Sequence, residues 1–111
     1  MSANFINVDS IEGLERLVAE SHERPVILFK HSLTCGISAG VYRLVGQVRA
    51  DINMVVIQTH REISNAIASL TGIRHESPQA IVLRDGKAVY HASHYDIEAR
   101  HIEASLNERT C

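Results

Sequence analysis

Val26-Ile27-Leu28-Phe29-Lys30-His31-Ser32-Leu33-Thr34-Cys35-Gly36-Ile37-Ser38 is the stretch from which the rest of the chain can be read. Its first four residues are an unbroken apolar run of strand length, which fits a strand buried on both faces, as in a parallel sheet. Beyond it Ile37, Val41, Leu44, Val45 and Val48 recur at helical spacing. Met54-Val55-Val56-Ile57 is a second run of the first kind. Strand, helix and strand therefore form a βαβ unit whose crossover is expected to be right-handed. Cys35 falls just past the first strand and at the start of the helix, where open α/β sheets place their sites.

Upstream, Asp9-Ser10-Ile11-Glu12 signals a helix start. Either Asp9 or Ser10 can cap it, and Glu12 stands three after Asp9 as in a capping box. Ile11, Leu14, Leu17 and Val18 share a face, and Pro25 cannot continue the helix. Downstream, Ile63, Ala66, Ile67 and Leu70 mark a helix over 61–70, with Thr71-Gly72 as its stop. Ala80-Ile81-Val82-Leu83 and Ala88-Val89-Tyr90-His91 flank Asp85-Gly86, a strong hairpin signal. A last helix is expected after Asp96, carrying Ile97, Ile102 and Leu106, with a frayed tail over 107–111. The order is an N-terminal helix followed by β-α-β-α-β-β-α. That is an α/β fold with a mixed four-stranded sheet, the thioredoxin-like arrangement, and residues 1–111 are read as a single domain of this type.

Composition narrows the function. Hydrophobic residues make up 45% of the chain and charged residues 22%, a balance that fits a packed globule rather than a disordered chain. A formal charge of -2, with no basic run, argues against nucleic-acid and anionic-membrane partners. No apolar stretch approaches the roughly 20 residues of a membrane span, and the polar N-terminus does not resemble a signal peptide. A cytoplasmic location is expected. There a disulfide between the two cysteines, Cys35 and Cys111, is disfavoured.

Cys35 then reads as inert packing, a metal ligand or a nucleophile. Polar Thr34 and Ser38 flank it, and the apolar helix face begins only at Ile37, which disfavours the packing role. A helix N-terminus offers unpaired N–H groups and a partial positive charge, both favouring thiolate over thiol. Lys30 and His31 are expected to add positive potential. The local string is Cys-x-x-Ser; Ser38 cannot resolve a mixed disulfide as a second cysteine would, although its hydroxyl can hydrogen-bond a thiolate. The expected chemistry is monothiol. The Ser77–Pro78 bond is expected to be trans on spacing alone. The seven histidines are scattered, with His91 and His94 the nearest to a pair, and no metal site is expected.

Phe29-Lys30-His31-Ser32, Thr34-Cys35 and Ile37-Ser38 resemble the active-site stretch of the bacillithiol-system redox proteins, the YtxJ-like or monothiol bacilliredoxin family. The resemblance runs on through Thr71-Gly72-Ile73-Arg74-His75-Glu76-Ser77-Pro78-Gln79 and Asp85-Gly86-Lys87-Ala88-Val89. It ends at His91-Ala92-Ser93-His94-Tyr95-Asp96-Ile97. It implies a thioredoxin-like fold and a monothiol thiol–disulfide oxidoreductase. Cys35 would be the nucleophile, removing bacillithiol, or another low-molecular-weight thiol, from mixed disulfides on cytosolic proteins. Thr34, Gly36, Ser38, Ser77 and Pro78 would hold the substrate, Pro78 as a cis-proline facing the thiol. The small thiol is a co-substrate, and no bound cofactor is implied.

Two positions depart from that family's pattern: Gly36 stands where proline is usual, and Tyr95 where tryptophan is usual. Gly36 makes the string Cys-Gly-Ile-Ser, close to the Cys-Gly-Phe-Ser of monothiol glutaredoxins that carry iron–sulfur clusters. A cluster carrier is therefore the runner-up, ahead of a thioredoxin-fold adaptor without turnover and a peroxide-sensing thiol.

Overall fold

The two unbroken apolar runs form the middle of the sheet. A computed structural model describes residues 3–107. In it β2 (Val26–His31) and β3 (Asp51–Val56) pair in parallel, with Ile27 opposite Ile52 and His31 opposite Val56, and α2 (Gly36–Val45) joins them. β4 (Gln79–Arg84) lies antiparallel on the other side of β2, and β5 (Lys87–Ser93) returns along it. The hairpin turns at Asp85 and Gly86, whose φ angles of 56° and 75° are the left-handed pair a two-residue hairpin needs.

The N-terminus differs from expectation. A strand, β1 (Asn4–Asn7), precedes the helix and pairs in parallel with β3. The sheet therefore has five strands, in the order β1-β3-β2-β4-β5, rather than four. β1 leaves no apolar signature because it is an edge strand bounded by asparagines, with only Phe5 half-buried. That ring stacks on Tyr42 at 4.5 Å, which ties the edge to α2. β3 also begins at Asp51 rather than Met54. Buried Asn53 is accommodated inside it because its Nδ2 donates to the Ile27 carbonyl at 3.0 Å.

The expected N-terminal helix is α1 (Ile11–Glu20), capped by Ser10, whose hydroxyl accepts from the Gly13 N–H at 2.9 Å. Glu12 thus falls one position short of a capping-box partner. α3 (Arg61–Thr71) ends at Gly72, left-handed at φ 73°, which donates its N–H to the Ala68 carbonyl. A 3₁₀ turn over His94–Asp96 precedes α4 (Ala99–Asn107), so buried Ile97 lies ahead of that helix rather than in it. Of the tail read as frayed, Asn107 closes α4, and residues 108–111, Cys111 among them, lie outside the described residues.

Alternation along β2 splits the core. Ile27 and Phe29 pack with Val41 and Val45 of α2 and Ile102 of α4. Val26 and Leu28 pack with Leu14 of α1 and with Ile63 and Ile67 of α3. Each face of the sheet is thus covered by a helix pair, which is why both runs are apolar throughout. No helix of the described residues is long and apolar enough to cross a membrane.

Candidate active site

Between the end of β2 and the start of α2, Ser32-Leu33-Thr34-Cys35 forms the bridge. Cys35 is the N-cap residue of α2, in extended backbone, with its carbonyl accepting from the Ala39 N–H at 3.1 Å. Its side chain makes no capping hydrogen bond. The N–H groups of the first helical turn are therefore left as donors for negative charge at the sulfur. The thiol is free and half-buried. Gly36 is exposed, and a Cβ there would meet nothing within 4 Å, so packing does not demand glycine at this position. With Ile37, Gly40, Leu44 and Tyr95 it lines a groove of about 300 Å³. Tyr95 is 77% exposed. The two positions where the chain departs from the family pattern thus meet in one groove.

The bridge is held by a residue that sequence reading missed. Gln58, just past β3, accepts from the Leu33 N–H at 3.1 Å through Oε1. Its Nε2 donates to the Ser32 hydroxyl at 2.8 Å and to the Thr34 hydroxyl at 3.2 Å. Thr34 is itself exposed. A lone glutamine after a strand belongs to no motif, and its only signal was its place at the carboxyl end of a parallel strand.

Ser38 is fully buried, and its hydroxyl accepts from the Ser32 N–H at 3.0 Å and lies 2.8 Å from His31 Nδ1. His31 stacks on Phe29 and leans on Tyr42, and burial lowers its pKa, favouring the neutral ring. Its tautomer therefore decides whether the Ser38 hydroxyl donates to Nδ1 or accepts from it. Ser38→Ala leaves the Ser32 N–H and the imidazole without this partner. It is expected to cost about 1–3 kcal/mol, read from urea unfolding curves; an unchanged midpoint would show that these bonds do not matter to the fold.

Lys30 points to the opposite face of the sheet from α2. It is fully buried, its Nζ lies 3.2 Å from His75 Nδ1, and the Ser64 hydroxyl of α3 lies 3.0 Å from the same nitrogen. Burial pushes the Lys30 pKa down to about 8. Burial also lowers that of His75, followed by the charges of Lys30 and Arg61. The expectation that Lys30 and His31 add positive potential at Cys35 is thus not met: one side chain is turned away and the other is kept neutral.

Pro78 opens β4. Gln79 lies opposite Lys30 in the antiparallel pair, so Pro78 stands beside the end of β2 from which the Cys35 bridge departs. The Ser77–Pro78 bond is cis, not trans as spacing suggested. The Pro78 carbonyl accepts from the His94 N–H at 2.9 Å, joining the 3₁₀ turn to this corner. The Ser77 hydroxyl is buried and has no hydrogen-bond partner among the described residues. His91 and His94 are both exposed, and no three His, Cys, Asp or Glu side chains among the described residues converge as a metal site would require.

Sheet order and the βαβ crossover define a thioredoxin-fold protein, and solved structures agree. One, described as a candidate oxidoreductase with a thioredoxin fold, is 32% identical, with 94% of each chain covered and a TM-score of 0.83. A mutant thioredoxin from Halobacterium salinarum shares the fold at 16% identity, with 97% of this chain and 95% of that one covered and a TM-score of 0.70. So does thioredoxin from Trypanosoma brucei brucei, at 17% identity, 93% and 88% coverage and a TM-score of 0.70. Residues 6–102 match the model of the monothiol bacilliredoxin (BrxC) family, and the chain belongs to that family.

Proposed function

We propose that the protein removes bacillithiol from mixed disulfides on other proteins, with Cys35 as the nucleophile. The observation that carries this reading is the position of Cys35: it caps α2 while its side chain makes no capping bond. A thiolate there accepts what the first-turn N–H groups offer, at the mouth of a βα junction. Membership of the bacilliredoxin family supports bacillithiol as the small thiol.

In the first step the Cys35 thiolate attacks the bacillithiol sulfur of the mixed disulfide. One S–S bond breaks and another forms: the target leaves as its thiolate, and Cys35 carries bacillithiol. A second bacillithiol thiolate then attacks the sulfur already bound to Cys35, releasing the symmetric bacillithiol disulfide and restoring Cys35. Each step is an exchange with no net electron loss. Thr34 and Gly36 flank the reacting sulfur, Ser38 supplies its hydroxyl when His31 donates to it, and Ser77 and Pro78 form the opposing wall for the substrate.

The test is a bacillithiolated protein offered with free bacillithiol: its thiol should reappear in step with bacillithiol disulfide. Anaerobic incubation with iron, sulfide and bacillithiol should give no stable charge-transfer bands. Stable bands with no thiol release would make cluster carriage the better account. Because one thiol suffices in this scheme, Cys111→Ser should leave turnover nearly unchanged. Build-up of the Cys35 adduct in that variant, seen by mass, would mean that Cys111 resolves it.

A further inference from the structure

The Lys30 ammonium is wholly buried beneath α3, and nothing in the exchange at Cys35 uses it. Among the described residues it pairs with no carboxylate, and its one hydrogen-bond partner is His75 Nδ1 at 3.2 Å. An ammonium has donors only. Nδ1 therefore accepts, which puts the ring proton on Nε2 and makes the Ser64 hydroxyl, 3.0 Å away, a second donor to the same nitrogen. Burial, then the charges of Lys30 and Arg61, favour this neutral ring. A buried ammonium held by a single imidazole weighs on the fold, and an apolar side chain would fill the space without that cost.

The place of its partner shows what the contact does. The β2–β4 ladder ends at the Lys30–Gln79 pair, so Ser77 and Pro78 lie beyond its last rung. There the two chains part: β2 runs on to the bridge that carries Cys35, while residues 75–78 lead back to α3. Three contacts hold this segment from β4, β5 and the turn after it. Gln79 Nε2 donates to the Arg74 carbonyl at 3.0 Å, Ser93 bonds the Glu76 carboxylate, and the His94 N–H donates to the Pro78 carbonyl at 2.9 Å. Of residues 74–78 only His75 hydrogen-bonds to β2 and α3 among the described residues. Its contact with Lys30 is a strut between the diverging ends, two residues from Ser77.

We propose that Lys30 is a positioning residue for the thiol exchange: acting through His75, it fixes the Ser77–Pro78 wall against the end of β2, from which the Cys35 bridge departs. The proposal rests on the reaction assigned to Cys35 above. In this scheme the buried charge is kept at a cost to stability because the wall it braces faces the substrate.

Lys30→Met removes the strut and leaves His75 on Ser64 alone. Exchange of the variant with a bacillithiolated protein should slow about tenfold or more. Alkylation of Cys35 by iodoacetamide needs the thiolate but no wall, and should stay within about twofold of the parent, read by mass on the Cys35 peptide. In the free variant, backbone ¹⁵N order parameters of residues 75–77 should fall from about 0.85 toward about 0.6. Unchanged exchange, exchange and alkylation slowed by one common factor, or unchanged order parameters would overturn the strut. A parent that takes up no bacillithiol at Cys35 overturns the reaction instead, and the order parameters then decide the strut alone.

Discussion

Cys35→Ser is expected to reduce release of a bacillithiolated protein to the uncatalysed rate, a loss of about a thousandfold or more. A serine hydroxyl at the same helix N-cap meets the same N–H groups, but it stays protonated at neutral pH and is a poor nucleophile toward sulfur. The substitution replaces one half-buried atom at a position with no packing constraint on its neighbour Gly36. Folding should be untouched, and unfolding midpoints measured beside the rates would confirm that the loss is chemical. A variant that keeps more than a tenth of the parent rate would place the nucleophile elsewhere.

Lys30→Met should stabilise the folded protein at pH 7 by about 3 kcal/mol, following the roughly 1.36 kcal/mol per pKa unit by which proton affinity and folding are linked. Lys30 is wholly buried with an imidazole rather than a carboxylate as its partner, and burial sets its pKa near 8 against an ordinary 10.5. The folded-state value is the lower one, so between about 8 and 10.5 the unfolded chain holds more protons. Stability of the parent therefore rises with pH across that window. Below about 8 both states are charged and the full cost of burying the ammonium applies. Methionine follows a similar unbranched path without charge, and His75 and Ser64 keep each other at 3.0 Å. The gain should thus be largest near neutrality and vanish above pH 10.5. Urea unfolding at pH 7 and at alkaline pH checks it; a gain equal at both, or a loss at pH 7, would show that the buried charge is not what costs stability.

Lys30 also shows where sequence reading stops. Its neighbours Val26-Ile27-Leu28-Phe29 declared a strand buried on both faces, and with the Asp85-Gly86 turn they carried most of the topology. The partner of Lys30 was invisible, because His75 lies 45 residues away and meets it only through the packing of α3 and the segment before β4. Gln58 was missed for the same reason: its three bonds to the Cys35 bridge reach back across 24 to 26 positions. Ser38 was legible as a residue near the thiol, but its engagement with His31 depends on the ring being stacked beneath α2. β1 was hidden because an edge strand with polar ends needs only one half-buried side chain. At Pro78 spacing alone gave the wrong isomer, and only the family resemblance around Ser77-Pro78-Gln79 pointed to cis. What local pattern could place was the cysteine at the helix start; which polar groups surround it required the fold.

The central claim is that Cys35 itself takes the small thiol. The most direct measurement is a single turnover, with the protein in excess over a bacillithiolated target and no free thiol present, followed by mass analysis of the Cys35 peptide. A mass increase of one bacillithiol on that peptide is expected, equal in amount to the target thiol released. A target protein disulfide-linked to Cys35, or bacillithiol found only on the Cys111 peptide, would contradict the account.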